Sequence, residues 1–298
     1  MSAEFRRWRV GEVTITRIVE LGPVDIPPNL LFPAVCAERV KAVAWLQPDF
    51  VDADGNLRLN FQCFLIEAPG RKILVDTCIG DDKQLDAEEF SGRVSGFLET
   101  LERAGAGPDD VDTVLCTHMH FDHIGWNTRL VDGRWTPPFP KARYLFARTE
   151  LDFALALTPD PGDESIAQSV RPVLDAGLAD LVECTHQVCP EVRLEPTPGH
   201  TPGHVSVLID SAGAKALITG DALHHPIQLS DPSISDAFCH DAAQGTQSRR
   251  RLFSELAGPD VLFIGTHFPE PTAGRALKDG TAWRLEALWD ERLPAKVD

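Results

Sequence analysis

Positive charge is scarce in this chain. It has 28 lysines and arginines against 45 aspartates and glutamates, a formal net charge of −17 over 298 residues. Binding phosphate needs a basic face, so this balance speaks against a nucleic-acid partner and against docking on anionic lipid. The only basic run, Arg249-Arg250-Arg251, reads as a solvated helix face. Long apolar runs are missing as well. None approaches the ~20 residues of a membrane span, and no apolar signal-peptide stretch follows the start at Met1–Trp8. The expectation is a soluble, cytoplasmic protein. Cysteine occurs without pattern: there are seven, an odd number, and no CxxC pair among them. Cys184 and Cys189 match no common zinc spacing. Cys63, Cys78 and Cys116 sit in or beside apolar strand-like runs, where a thiol serves as a small hydrophobe. A disulfide framework is therefore not expected, which suits a reducing compartment.

Apolar residues make up 43% of the chain, ample for a packed core. Strands are expected at Val13–Glu20, Leu57–Glu67, Lys72–Thr77, Val111–Cys116, Ala142–Ala147, Val192–Leu194, Val205–Ile209, Ala216–Thr219 and Val261–Ile264. Helices are expected at Ser91–Ala104, with Ser91 as cap, near Glu150–Leu157 and Ile166–Ala176, and at Ser248–Ala257. A proline- and aromatic-rich arm at about 21–50 carries a helical stretch near Ala37–Ala44. It is suited to covering a pocket or forming a subunit contact, so a homodimer is compatible with it. The order of elements suggests two packed sheets with helices outside, in a single domain over 1–298 with that arm near its start.

The chemistry lies in four short segments, each following a strand-like run. The first is Thr117-His118-Met119-His120-Phe121-Asp122-His123-Ile124-Gly125; the others present His200 after Gly199, Asp221 after Gly220, and His267 after Thr266. Five imidazoles and two carboxylates suffice for two divalent ions with one carboxylate between them. Zinc is the default, with manganese, cobalt or iron as alternatives. Such a pair lowers the pKa of a shared water and points to hydrolysis by a bridging hydroxide.

With these residues the chain resembles the metallo-β-lactamase superfamily, and within it the dinuclear hydrolases. The resemblance spans roughly Phe61 to Phe268. It implies a four-layer αββα sandwich, an α/β (α+β) architecture. It also implies that His118, His120 and His200 bind one metal and Asp122, His123 and His267 the other, with Asp221 bridging. Asp76 would support the metal loop from behind, and Asp122 would orient the nucleophile or carry the proton to the leaving group. Aspartate at the bridging position, where many true β-lactamases have cysteine, disfavours antibiotic hydrolysis. The run Gly199-His200-Thr201-Pro202-Gly203-His204 looks most like quorum-quenching acyl-homoserine lactonases and methyl-parathion-hydrolase-like enzymes. Many lactonases carry a tyrosine three residues after the bridging aspartate; here that residue is His224, and the only tyrosine is Tyr144. This disfavours acyl-homoserine lactones themselves and leaves other lactones and esters open.

The expected function is therefore hydrolysis of a small neutral lactone or carboxylic ester. Asp122 and His224 are the catalytic candidates, with His224 facing the pocket or packing away from it. A thioesterase of the hydroxyacylglutathione hydrolase type and an organophosphate triesterase are the alternatives. The first usually binds an anionic tail with basic residues near its C-terminus, and Trp283–Asp298 has no such cluster. An oxygen-handling di-iron protein on the same scaffold commonly has glutamate in the first motif, unlike this chain. His204 reads as a structural histidine bonding the metal loop, and His186 and His240 as ordinary loop residues. His225 and Trp126 are open between packing and the pocket. Trp45, Phe50, Trp135 and Phe139 are candidates for an apolar pocket wall.

Overall fold

The computed structural model describes residues 5–157 and 162–289. Parts of the N- and C-terminal readings above fall on residues 1–4 and 290–298 and lie outside the described residues. The chain divides into two compact units, one of residues 1–20 and 61–184, the other of 21–60 and 185–298. It passes between them three times, so neither unit is continuous in sequence.

The first unit is built on a seven-stranded sheet. Its spatial order is Arg7–Val10, Val13–Ile26, Leu57–Ala68, Arg71–Val75, Thr113–Leu115, Arg143–Ala147 and Ala179–Val182. From Arg71–Val75 onward the strands pair in parallel. Parallel neighbours need a crossover, and the first one contains the helix Phe97–Ala104. That helix is shorter than the expected Ser91–Ala104. Gly92 and Gly96 take positive φ (+65° and +67°), and Ser91 is no cap: its Oγ accepts from Leu85 N and donates to Lys83 O. Phe97, Leu101 and Ala104 are buried beside Leu65, Leu74, Val114, Tyr144 and Phe146 in this unit's core.

The second unit holds another seven-stranded sheet, ordered Gln187–Cys189, Val192–Pro196, Val205–Ser211, Ala214–Ile218, Val261–Ile264, Ala273–Asp279 and Ala282–Ala287. One neighbouring pair, Ala214–Ile218 with Val261–Ile264, is parallel, and the helix Ala242–Leu256 makes its crossover. Asp241 caps this helix by accepting from Gln244 N, so it begins six residues before the expected Ser248. Its buried face is Gly245, Ser248, Arg249, Leu252 and Phe253, a three-four spacing. Arg249 thus occupies a core position, which corrects the solvated reading of the arginine run: only 1% of it is exposed. Arg251 pairs with Glu195 at 2.5 Å.

The arm belongs to the core of the second unit. Leu31, Phe32, Val35, Val40, Leu46, Phe50 and Val51 are buried with Leu223, Ile227, Ile234 and Leu252. Phe50 and Phe139 are likewise core residues, not a pocket wall. The sequence reading passed over the final hairpin, Ala273–Ala287, although Asp279-Gly280 marks its turn. No described helix is long and apolar enough to cross a membrane.

Candidate metal centre

Most of the candidate ligands follow the C-terminal ends of parallel strands, where open α/β sheets generally bind ligands; His200 instead follows the antiparallel strand Val192–Pro196. Asp76 follows Arg71–Val75, and the first motif follows Thr113–Leu115. Asp221 follows Ala214–Ile218, and His267 follows Val261–Ile264.

In the first unit the motif loop is pinned to the loop after Arg71–Val75. Thr77 N donates to His123 O at 2.8 Å, Gly125 N to Cys78 O at 2.8 Å, and Trp126 N to Thr77 O at 2.8 Å. A side chain at Gly125 would collide with the Ile79 carbonyl, so only glycine allows this approach. Trp126 stacks on Phe97 with ring centroids 5.3 Å apart and donates Nε1–H to Glu20 at 2.7 Å, which makes it a packing residue. Asp76 is held at φ +60°, a left-handed conformation that aspartate tolerates better than most residues. Its Oδ1 accepts from Thr117 N at 2.7 Å, and its Oδ2 from Thr117 Oγ1 at 3.0 Å. The same Oδ2 lies 2.9 Å from His123 Nδ1.

These bonds assign tautomers. His123 carries its proton on Nδ1, toward Asp76, which leaves Nε2 as a lone pair 3.6 Å from Asp122 Oδ2. Thr117 gives its hydroxyl proton to Asp76, so the His118 Nδ1–H donates to Thr117 Oγ1 at 3.1 Å and Nε2 again carries the lone pair. The His118 ring centroid stands 4.6 Å from that of His120 and 4.1 Å from that of His123. His118 and His123 are buried, while His120 and Asp122 are partly exposed.

In the second unit Asp221 is the hub. Its backbone N–H donates to His204 Nε2 at 2.8 Å, and His204 Nδ1 meets Thr197 Oγ1 at 2.8 Å. His204 is therefore the structural histidine expected. Three imidazoles surround the Asp221 carboxylate: His224 Nε2 at 3.0 Å, His267 Nε2 at 3.2 Å and His200 Nε2 at 3.4 Å. The His267 Nδ1–H donates to Asn60 O at 2.8 Å, since a carbonyl only accepts, and the Nε2 lone pair then faces the carboxylate. The His267 lone pair and the Asp221 carboxylate repel each other unless positive charge lies between them. A divalent ion supplies it without protonating every ring, so this donor set fits a metal. Each unit presents imidazole and carboxylate donors of the kind divalent cations take.

His224 and His225 part company. His224 turns to Asp221, with the edge of Phe32 against it at 6.4 Å between centroids. His225 is fully buried: its Nε2–H donates to Phe50 O at 2.8 Å and its Nδ1 accepts from Ile227 N at 3.1 Å. Burial pushes its pKa down to about 4, the bond to Phe50 opposing. It is a packing residue. His240 donates its backbone N–H to His200 O at 2.9 Å.

Sequence reasoning missed Asp236. Its carboxylate is buried, with Oδ1 3.2 Å from His200 Nδ1 and Oδ2 3.7 Å from His224 Nδ1. Burial alone would raise this carboxyl, but His224 and His200 outweigh it and hold it well below the usual carboxylate range. It lies in a loop with no motif around it, so the sequence carried no signal for it. Gln228 was missed too. Its Oε1 accepts from His224 N at 2.8 Å and His225 N at 3.3 Å, and its Nε2 donates to Ile234 O at 3.0 Å.

Comparison with known proteins agrees with this arrangement. Residues 61–275 match the family model of the metallo-beta-lactamase superfamily. An N-acyl homoserine lactonase of Bacillus thuringiensis is 30% identical over 220 residues, covering 70% of this chain and 81% of that protein. Among solved structures, AidC, a dizinc quorum-quenching lactonase, superposes with a TM-score of 0.77 at 21% identity, over 95% of this chain and 97% of its own. The hydrolase AbOPH of the beta-lactamase superfamily superposes with a TM-score of 0.78 at 23% identity, over 97% and 98%. At such identities the two structures speak for the fold, the four-layer αββα sandwich. The chain belongs to the metallo-β-lactamase superfamily and is a metal-dependent hydrolase.

Proposed function

We propose that the chain works as one hydrolase domain that opens a small lactone or carboxylic ester at a dinuclear centre. His118, His120 and His200 would hold one ion, Asp122, His123 and His267 the other, and Asp221 both. The observation that carries this reading is the tautomer assignment: the bonds of His118, His123 and His267 each leave Nε2 to ligate. The lactonase kinship of the Bacillus relative supports the choice of bond. Two divalent ions, zinc by the donor set, supply when bound an activated water and an electrophile for the carbonyl oxygen. The rest falls to the protein. Asp122, partly exposed beside His123, would orient the attacking water and pass its proton to the leaving alkoxide. His224, with Nε2 3.0 Å from Asp221 Oδ2, would steady the oxygen on which charge develops. Phe32 and the buried arm around His224 limit water on that side.

Metal analysis combined with a panel of lactones, aryl esters, thioesters and phosphotriesters tests the proposal. The expected result is two ions per chain with turnover of lactones or esters. Fewer than two ions and no acyl cleavage after replenishment with zinc, cobalt or manganese would sink it. Preference for glutathione thioesters would move the substrate to the thioesterase class.

A further inference from the structure

Arg249 presents a problem that packing alone does not answer. It is an arginine on the core face of the helix Ala242–Leu256, 1% exposed, and burying a guanidinium costs several kcal/mol unless its partners compensate. Among the described residues no carboxylate lies within ion-pair distance of it. Its Nε donates to Pro232 O at 2.7 Å and its Nη1 to Ala222 O at 3.4 Å, while its Nη2 is buried without a hydrogen-bond partner.

Both carbonyls adjoin the candidate centre. Ala222 directly follows Asp221, whose own backbone N–H is held by His204, so Asp221 is fastened on both sides. Pro232 lies in the turn Asp231–Ile234, which ends two residues before Asp236, the carboxylate behind His200 and His224. Gln228 makes a second tie between the same two segments, from His224 N to Ile234 O. Two side chains thus cross-link the segment carrying Asp221 and His224 to the segment carrying Asp236. The rigid guanidinium fork reaches two carbonyls in different directions, as a lysine ammonium on its flexible stem does not.

We propose that Arg249 is a positioning residue for the centre, setting the spacing between Asp221 and Asp236 and through them the orientation of His200 and His224. The inference rests on the metal-centre reading given above. A slip between the two segments would shift Asp236 off His200 Nδ1 and turn the ring that Asp221 faces. Outer hydrogen-bond partners of this kind typically affect metal affinity or activity by ~10–100-fold.

The test uses the full chain loaded with Co(II), comparing wild type with R249M and R249K. Below the melting temperature of each variant, three properties are read: the Co(II) absorption spectrum, the rate of metal loss to a chelator, and kcat separately from KM. The expected result for R249M is an altered Co(II) spectrum, metal loss faster by ~10–100-fold and kcat lower by a similar factor, with KM within ~3-fold. R249K keeps the charge without the fork and is expected to restore none of these fully. If R249M does not fold, R249K carries the test. A variant with a lowered melting temperature but wild-type spectrum, metal retention and kcat would overturn the inference, since a merely structural arginine moves only stability. Full rescue by R249K would overturn the role given to the fork. Wild-type protein that takes up no Co(II) overturns the metal-centre reading itself, and that result is visible before any variant is compared.

Discussion

His225 makes the stability of the protein depend on pH in a way that can be isolated. In the folded state its Nε2–H is bonded to Phe50 O and its Nδ1 accepts from Ile227 N, so a second proton has no place to go. Burial lowers its pKa from 6.5 to about 4. With the folded pKa below the unfolded one, the unfolded chain takes up its proton first as pH falls. The stability tied to neutral His225 is therefore complete above pH ~6.5 and is lost progressively toward pH ~4. At about 1.4 kcal/mol per pKa unit the full effect is about 3 kcal/mol, of which about 2 kcal/mol falls between pH ~7.5 and ~5. H225Q keeps an amide donor for Phe50 O and cannot titrate. Chemical denaturation of metal-saturated wild type and H225Q at the two pH values gives the difference. The candidate metal ligands are common to both proteins, so their competition with protons cancels. The stability advantage of wild type is expected to shrink by about 2 kcal/mol on acidification. A gap that stays the same at both pH values would refute the reasoning, because His225 would then not be held neutral by burial.

Three other outcomes follow from the site and its surroundings. D221A and H120A are each expected to abolish turnover while leaving the circular dichroism spectrum unchanged; near-normal rates in either would count against the ligand assignment. D76N leaves one acceptor oxygen, and no charge, for the two that serve Thr117 and His123 Nδ1, so metal affinity by chelator competition should fall ~10–100-fold, and an unchanged affinity would show that His123 needs no carboxylate behind it. Lys83 is 1% exposed, with Nζ on Thr128 Oγ1 at 2.7 Å and 3.7 Å from the Trp135 ring centroid. Burial lowers its pKa to about 7. Its folded pKa lies below the unfolded value, so the unfolded chain holds the proton more tightly and the cost of burial is largest below pH ~7, fading as pH rises toward ~10.5. K83M should therefore raise stability at pH ~6 by about 1–3 kcal/mol and by less at pH ~9. A loss of stability at pH ~6 would show that the contacts to Thr128 and Trp135 outweigh desolvation.

The strands and the metal-donor segments were legible because both are written in local pattern. Apolar runs such as Val261–Ile264 announce themselves, and His118, His120, Asp122 and His123 stand within six residues of one another. Their loops must leave parallel strand ends, so the periodic signal and the chemical signal reinforce each other. Asp76 was also within reach, as a carboxylate at the end of a strand.

What local pattern could not decide was which side a residue faces and what returns to meet it. Arg249 looked solvated because its neighbours are charged, yet the helix begins at Ala242 and its three-four spacing turns Arg249 into the core. Ser91 looked like a helix cap, but Gly92 and Gly96 take up the positive φ that keeps that stretch from being helical. Of two adjacent histidines, only the packing of Phe32 and Phe50 sends His224 to the centre and His225 into the interior. Asp236 enters from a loop with no motif, because its partners, His200 and His224, are distant in sequence and are brought to it by the folded chain. Residue types and their short-range spacing thus determine the chemistry available, since metal donors and strand periods are local properties. The hydrogen-bond partners that orient those donors are long-range, and only the tertiary structure decides them.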